Sequence, residues 1–240
     1  MIAKPKANLI IPCLNEATVL PIFLAECIDV LLNDVEVDWK IIVVDNASED
    51  DSAQICRELN IEVLNCSKRG YGATLNHGIS QSEVEWVTYA DADGTYNPRD
   101  AVKLVKFAIE NNADLVLGSR MKGVMEPGSI TLFSRLGTPI ISLLIKKLFR
   151  IPLTDCNSGI RCLRRSIYDS LKMASTGMEF ASELVIKTAI MDLKYFEIPV
   201  NLRRCPSPDR KPHIRILRDG LRHLGIIILL FVKNLRNNVK

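Results

Sequence analysis

Short apolar runs rich in Val, Ile and Leu alternate along this chain with longer stretches whose apolar residues recur every three to four positions. The short runs are nearly continuous in apolar residues, as expected of strands covered on both faces in a parallel sheet. They predict strands over 7–11, 40–44, 61–65, 85–90 and 114–118, with later ones near 159–163 and 195–200. The stretches of helical period predict helices over 17–32, 50–59, 72–80, 98–111, 178–192 and 214–233. Asn97 before Pro98 is a good start signal for one of these, since Asn caps well and Pro suits the first turn. Strand and helix in alternation imply an α/β fold, a Rossmann-like, mainly parallel sheet flanked by helices. No repeat, low-complexity stretch or linker interrupts the 240 residues, so a single domain over 1–240 is the economical reading.

Two apolar stretches do not fit a plain sheet-covering role. Residues 224–232 read LGIIILLFV between basic residues. Nine residues are about half of the ~20 needed to cross a bilayer, so this is a core helix or one lying at a membrane surface. Over 134–151, Arg135, Pro139, Ser142, Lys146 and Arg150 recur at spacings that form one polar stripe among leucines and isoleucines. That pattern suits a helix at a lipid headgroup boundary, and equally a helix packed on the sheet with its cations in water.

Composition narrows the class. With 48% apolar and 25% charged residues the chain is globular, and a net charge of +3 with no aromatic-rich basic patch gives no reason to expect nucleic acid. Seven cysteines, an odd number, form no CxxC pair and mostly sit in apolar runs, so they read as reduced, buried thiols of a cytoplasmic protein. The first residues run directly into a strand, with no expected signal peptide. His77, His213 and His223 have no metal-ligand spacing and read as structural or surface residues.

Candidate chemistry gathers at strand ends. The run Val87–Gly94 is a strand closing on Asp91 and Asp93, and side chains two apart share a face of a strand. Two hard carboxylates at a carboxyl edge suit Mg²⁺ or Mn²⁺ on a diphosphate, although Asp and Gly also simply close turns. Pro12, Asn15 and Glu16 follow the first strand, Asp45, Asn46 and Ser48 the second, and Gly70 to Gly72 the third. Asp45 is placed to accept from ribose hydroxyls or a base N–H, and Gly70 lets the backbone approach a ligand. Each loop alone reads as caps and turns, with Asn15 and Ser48 able to cap, whereas four polar ends on one rim favour a site. Neither GxxxxGK[ST] nor a complete GxGxxG is present.

Taken in order, Pro12-x-x-Asn15-Glu16, Val44–Ser48, Asp91-Ala92-Asp93-Gly94, Gly118-Ser119-Arg120, Asp155-x-x-Ser158-Gly159-Ile160-Arg161, Glu179-Phe180-x-x-Glu183 and Glu197-Ile198-Pro199 resemble the inverting family 2 glycosyltransferases of the GT-A fold. Within them the chain looks most like the dolichyl- and polyprenyl-phosphate hexose synthases. The resemblance implies a nucleotide-binding half over 1–120, an acceptor-side half over 121–213 with an amphipathic interface helix, and a membrane-surface helix over 214–240. It implies that Pro12, Asn15, Glu16, Asp45, Asn46, Gly70 and Ala92 hold a nucleotide sugar, and that Asp91 and Asp93 hold the metal on its diphosphate. It also implies that Arg204, with Arg210 and Lys211, closes over the phosphates. The chain departs from the family pattern at Thr95, where a glutamine is often found, and in a longer, proline-rich segment over 203–212.

What remains is how the acceptor becomes a nucleophile. A hydroxyl needs a general base, for which Asp155, Glu179 or Glu183 are candidates. A polyprenyl phosphate such as dolichyl or undecaprenyl phosphate is already largely dianionic and needs cations, a role for Ser119, Arg120 and Arg135. Asp155 and Arg161 are expected to bracket the acceptor side of the sugar pocket, or else to form a salt bridge. The expected activity is metal-dependent transfer of a hexosyl unit to a polyprenyl phosphate at the cytosolic face of a membrane. The alternatives are transfer to a glycan or lipid-linked hydroxyl, and a non-catalytic nucleotide-sugar-binding scaffold.

Overall fold

The apolar run Lys6–Cys13 forms β1, which lies inside the sheet with parallel neighbours on both sides. Its side chains alternate between two layers: Leu9 and Ile11 enter one core, Ile10 the other. The remaining strands are β2 (Asp38–Asp45), β3 (Glu62–Asn65), β4 (Trp86–Ala90), β5 (Leu115–Ser119), β6 (Ile160–Arg164) and β7 (Tyr195–Pro199). They lie in the order β3-β2-β1-β4-β6-β5-β7. β6 runs antiparallel to both β4 and β5, and every other pairing is parallel. This computed structural model describes residues 3–207 and 216–238.

Among the described residues eight α-helices cover the sheet: α1 (Leu20–Leu31), α2 (Ser52–Glu58), α3 (Tyr71–Ser80), α4 (Pro98–Glu110), α5 (Leu132–Phe149), α6 (Arg165–Leu171), α7 (Phe180–Ile190) and α8 (Ile216–Asn238). Phe23 and Leu24 of α1 and Leu104 and Val105 of α4 fill one layer, with Trp39 and Trp86. Leu75 and Ile79 of α3, Tyr168 of α6 and Phe180 of α7 fill the other. A third cluster joins Ile145 and Phe149 of α5, Val185 and Ile186 of α7, and Ile227 and Leu230 of α8. The strands agree with expectation to within two residues. α1 starts three residues late, with Pro21 in its first turn, and the seven-residue α6 had no start signal in the sequence. Asn97 caps α4 as expected, its side chain accepting from the Arg99 N–H.

Arg135, Pro139, Lys146 and Arg150 of the expected polar stripe on α5 are exposed, and Ser142 alone needs correction. Ser142 is buried and its hydroxyl accepts from the Cys156 N–H at 3.0 Å. Thr138, Ser142, Ile145 and Phe149 form the inward face, and Phe133, Leu136, Ile140 and Leu143 lie exposed on the outside. The helix therefore presents apolar side chains to the surroundings. All seven cysteines are free and six are buried, with burial pushing the Cys13, Cys156 and Cys162 thiols up to about 12.

Because β2 and β3 build outward from one side of β1 and β4 starts the other, the order in which strands are added reverses at the parallel pair β1 and β4. At such a switch point the loops leaving the two strands diverge and open a crevice at the carboxyl edge.

Candidate active site

Hydrogen bonds between loops fix the walls of that crevice. Asn15 has a positive φ of 54° and clasps the loop after β2. Its N–H donates to Ser48 Oγ at 2.9 Å and its Oδ1 accepts from the Glu49 N–H at 2.7 Å. Neither Asn15 nor Ser48 is a helix cap; both tie loop to loop. Asp50 accepts from Ala17 N–H at 3.0 Å and from the Ser52 hydroxyl at 2.5 Å. Burial opposes its ionisation, but these donors outweigh it and hold the carboxyl below its ordinary value. Asn46 orders the third loop: its Nδ2 donates to the carbonyls of Cys66 and Lys68, and its Oδ1 accepts from the Gly70 N–H at 2.7 Å.

A cavity of about 950 Å³ opens over these loops. Of the residues expected in the site, Pro12, Glu16, Asn46, Gly70, Asp91, Ala92, Asp93, Arg120 and Arg204 line it. Asn15 and Asp45 are not in the lining: Asn15 is exposed, and Asp45 is buried, accepting from the Ser48 N–H at 3.2 Å. Lys211 and Arg210 lie outside the described residues.

The two carboxylates at the tip of β4 both reach the cavity. Asp91 Oδ1 accepts from the Tyr71 hydroxyl at 2.8 Å. Burial, then the Asp91 charge, hold that phenol well above its ordinary value, so it stays a donor. The Asp91 carboxylate lies flat against Gly159, where an added Cβ would come within 1.9 Å of Oδ2. Only glycine allows β6 to approach so closely. Asp93 Oδ1 accepts from Thr95 N–H at 3.0 Å and from Thr95 Oγ1 at 2.6 Å, so Thr95 orients Asp93. No group of three or more His, Cys, Asp or Glu residues among the described residues could hold a metal ion. A pair of carboxylates without a third protein ligand fits Mg²⁺ or Mn²⁺, which complete their shells with phosphate oxygens and water.

The acceptor side departs from expectation. Asp155 is fully buried and forms a two-pronged pair with Arg120, both N···O distances being 2.7 Å, and Oδ2 also accepts the Arg120 N–H. With both oxygens bound by Arg120 and none of its own surface in the cavity lining, Asp155 positions Arg120 and is not placed to take a proton. It makes no pair with Arg161, whose buried guanidinium donates to the carbonyls of Ser158, Ala181 and Cys156. Glu179 Oε1 accepts from the Gly177 N–H at 3.1 Å and its Oε2 lies 3.7 Å from Arg222 Nε. Glu183 is committed to the Ala174 and Ser175 N–H groups and to Lys187. None of the three lines the cavity. Ser119 is buried against Thr154 Oγ1 at 2.7 Å, and Arg135 is exposed on α5 outside the lining.

Two further segments complete the walls. Residues 202–207 form a strap along the cavity, with Leu202, Arg204, Cys205 and Ser207 in its lining. Arg203 N–H donates to Thr95 O, and its Nη2 reaches Gly94 O at 3.0 Å, Tyr96 O at 3.1 Å and Glu26 at 2.7 Å. Arg204 reaches Pro127 O and enters the cavity. On α8, Arg218, Asp219 and Arg222 also line it. Sequence reasoning passed over these three; their only signal was two arginines one helical turn apart beside an apolar stretch. His223, next in line, is structural as expected, its Nδ1 2.7 Å from Ser182 Oγ, and burial lowers its pKa.

A parallel sheet with one antiparallel strand let in beside the switch point defines the class as the GT-A fold of glycosyltransferases. Glucosyl-3-phosphoglycerate synthase from Mycobacterium tuberculosis, crystallised with Mn²⁺, UDP-glucose and phosphoglyceric acid, matches 95% of this chain and 80% of its own, with a TM-score of 0.71 at 18% identity. The chain belongs to glycosyl transferase family 2, whose profile matches residues 8–172. The low-salt glycan biosynthesis hexosyltransferase of Haloferax volcanii is 27% identical over 229 residues, 94% of this chain and 54% of that protein. This chain therefore spans about half the length of that relative. An uncharacterized glycosyltransferase of Mycobacterium tuberculosis is 28% identical over 201 residues, 83% of this chain and 86% of its own length.

Proposed function

We propose that this family 2 glycosyltransferase transfers a hexosyl unit, with inversion, from a nucleotide sugar to a polyprenyl phosphate at the cytosolic face of a membrane. The observation that carries the donor half is the pair Asp91 and Asp93 facing one cavity beside the β1–β4 switch point. Pro12, Glu16, Asn46 and Gly70 supply the nucleotide-side wall. A Mg²⁺ or Mn²⁺ ion held by the two carboxylates would neutralise the diphosphate and stabilise the charge that develops on the leaving oxygen. Arg204, on the strap, adds positive charge to that leaving side. The Mn²⁺ and UDP-glucose bound to the mycobacterial synthase support this reading.

The acceptor half rests on what the nominated bases do instead. Asp155, Glu179 and Glu183 are each engaged by neighbouring donors and none of the three lines the cavity, whereas Arg120 and Arg204 face it. Such a site lacks those three as proton acceptors and offers guanidinium groups. A phosphate monoester, with a second pKa of about 6, attacks without a base and needs only positive charge to guide it. The outward faces of α5 and α8 expose Leu136, Ile140, Leu143, Leu221 and Ile228, a surface suited to a bilayer. No helix among the described residues is long and apolar enough to cross a membrane, so the seat would be peripheral. Arg135, Lys146 and Lys147 would attract anionic headgroups at about 1 kcal/mol each. Incubation with labelled GDP- and UDP-hexoses, Mn²⁺ and undecaprenyl or dolichyl phosphate should yield an acid-labile glycolipid. Label appearing only on a hydroxyl acceptor, or on nothing, contradicts the reading.

A further inference from the structure

We infer that α8 carries the phosphate-binding group of the acceptor subsite, with Arg218 and Arg222 gripping a phosphate monoester whose apolar tail runs over the same helix. This assignment rests on the acceptor reading above. The two arginines are one turn apart, hence on one face, and both enter the cavity. The orientation of that face is fixed from behind. Ile227 packs against Val185 and Ile186 of α7, and buried His223 is bonded to Ser182.

Arg222 is also seated from in front. Its guanidinium lies over Gly177, where an added Cβ would come within 2.4 Å of Nη1, so the backbone is bare where the arginine crosses it. Among the described residues, neither arginine is tightly consumed by a carboxylate. Arg218 Nε stands 3.4 Å from Asp219, and Arg222 Nε 3.7 Å from Glu179. Arg120, by contrast, has Nε and Nη2 engaged at 2.7 Å by Asp155. The α8 pair thus keeps donors to spend on an incoming anion, and the guanidinium fork matches two phosphate oxygens at once.

The neighbouring positions give the ligand its second property. Leu217, Leu221, Leu224 and Ile228 recur at helical spacing and are exposed, Leu217 by 84% and Leu221 by 69%. This ridge runs immediately beside the arginine face. An acceptor with a dianionic head and an apolar tail satisfies both at once. A soluble phosphorylated acceptor would use the arginines and leave the ridge unused.

The test measures acceptor KM at saturating donor and Mn²⁺ with two acceptors, farnesyl phosphate and 3-phosphoglycerate. Arg218→Gln and Arg222→Gln should each raise the farnesyl phosphate KM by roughly tenfold, and Arg222→Lys should recover part of that loss. Calorimetry of nucleoside diphosphate with Mn²⁺ should give a Kd within about twofold of the wild type in all variants, since the defect is confined to the acceptor. An unmoved KM in both Gln variants, with wild-type transfer intact, overturns the α8 site alone. An equal rise in nucleotide Kd also overturns it, because the arginines would then hold the donor. Product with 3-phosphoglycerate only, with the same KM shift, keeps the phosphate site and overturns both the apolar tail and the polyprenyl acceptor. If the wild type forms product with neither phosphate, the acceptor reading falls and this site with it.

Discussion

Glu183 illustrates how the chemistry of one carboxylate is decided by what surrounds it. Burial opposes its ionisation. The Lys187 ammonium and the hydroxyl and N–H of Ser175 outweigh burial and hold its pKa below the ordinary carboxylate value of 4.5. A carboxyl depressed in the folded state stabilises the fold above its unfolded pKa, and that contribution fades as pH falls through the folded value. Glu183→Gln should therefore cost about 1–3 kcal/mol in denaturant unfolding at pH 7 and progressively less below pH 4.5. A penalty that is constant with pH would contradict the assignment. Asp155 is the companion case. Its sequence position suggested a base, yet its oxygens are bound to Arg120. Asp91 and Asp93 were legible as paired carboxylates at the end of an apolar strand. However, β4 stops at Ala90 and both lie in the turn after it, so the strand alternation expected of them is not what brings them to one cavity. The partner of Asp155 lies 35 residues away, and no local pattern encodes such a pairing.

At the scale of elements, the strap and the loop after β4 behave as one unit. Arg203 joins them through Thr95, Gly94 and Tyr96, the residues immediately following Asp93. Its ion pair with Glu26 is partly exposed, and pairs of that kind contribute about 0–1 kcal/mol. Arg203→Ala should therefore change the melting temperature little while raising the donor KM by roughly tenfold, because the strap that carries Arg204 loses its register. A loss of thermal stability with an unchanged donor KM would show a purely structural clamp. The strands and most helices were legible from periodicity, since each is an apolar face repeated at a fixed interval. The strap was legible only as a proline-rich loop, and on α5 the polar stripe held at Arg135, Pro139, Lys146 and Arg150 but not at buried Ser142. Periodicity shows that a helix is two-sided but not which side meets the sheet, and here small polar Thr138 and Ser142 are buried while leucines are exposed.

For the whole molecule, function follows from where the sheet reverses. The carboxyl edge at the β1–β4 junction collects the nucleotide-side loops, the paired aspartates and the strap around one cavity. α5 and α8 meet at its far side and turn apolar faces outward. The proposed donor site and the apolar exterior of α5 and α8 thus lie on either side of one cavity, and the proposed acceptor would cross from one to the other. The claim beneath all of this is that Asp91 and Asp93 hold a divalent ion on a nucleoside diphosphate. Titration calorimetry of UDP and GDP, with and without Mn²⁺, measures it directly and independently of any acceptor. Mn²⁺ should tighten binding of one nucleotide by at least about tenfold, or ~1.4 kcal/mol, and Asp93→Asn should abolish that gain while the protein stays folded. Equal binding with and without metal, undiminished in Asp93→Asn, would contradict the account.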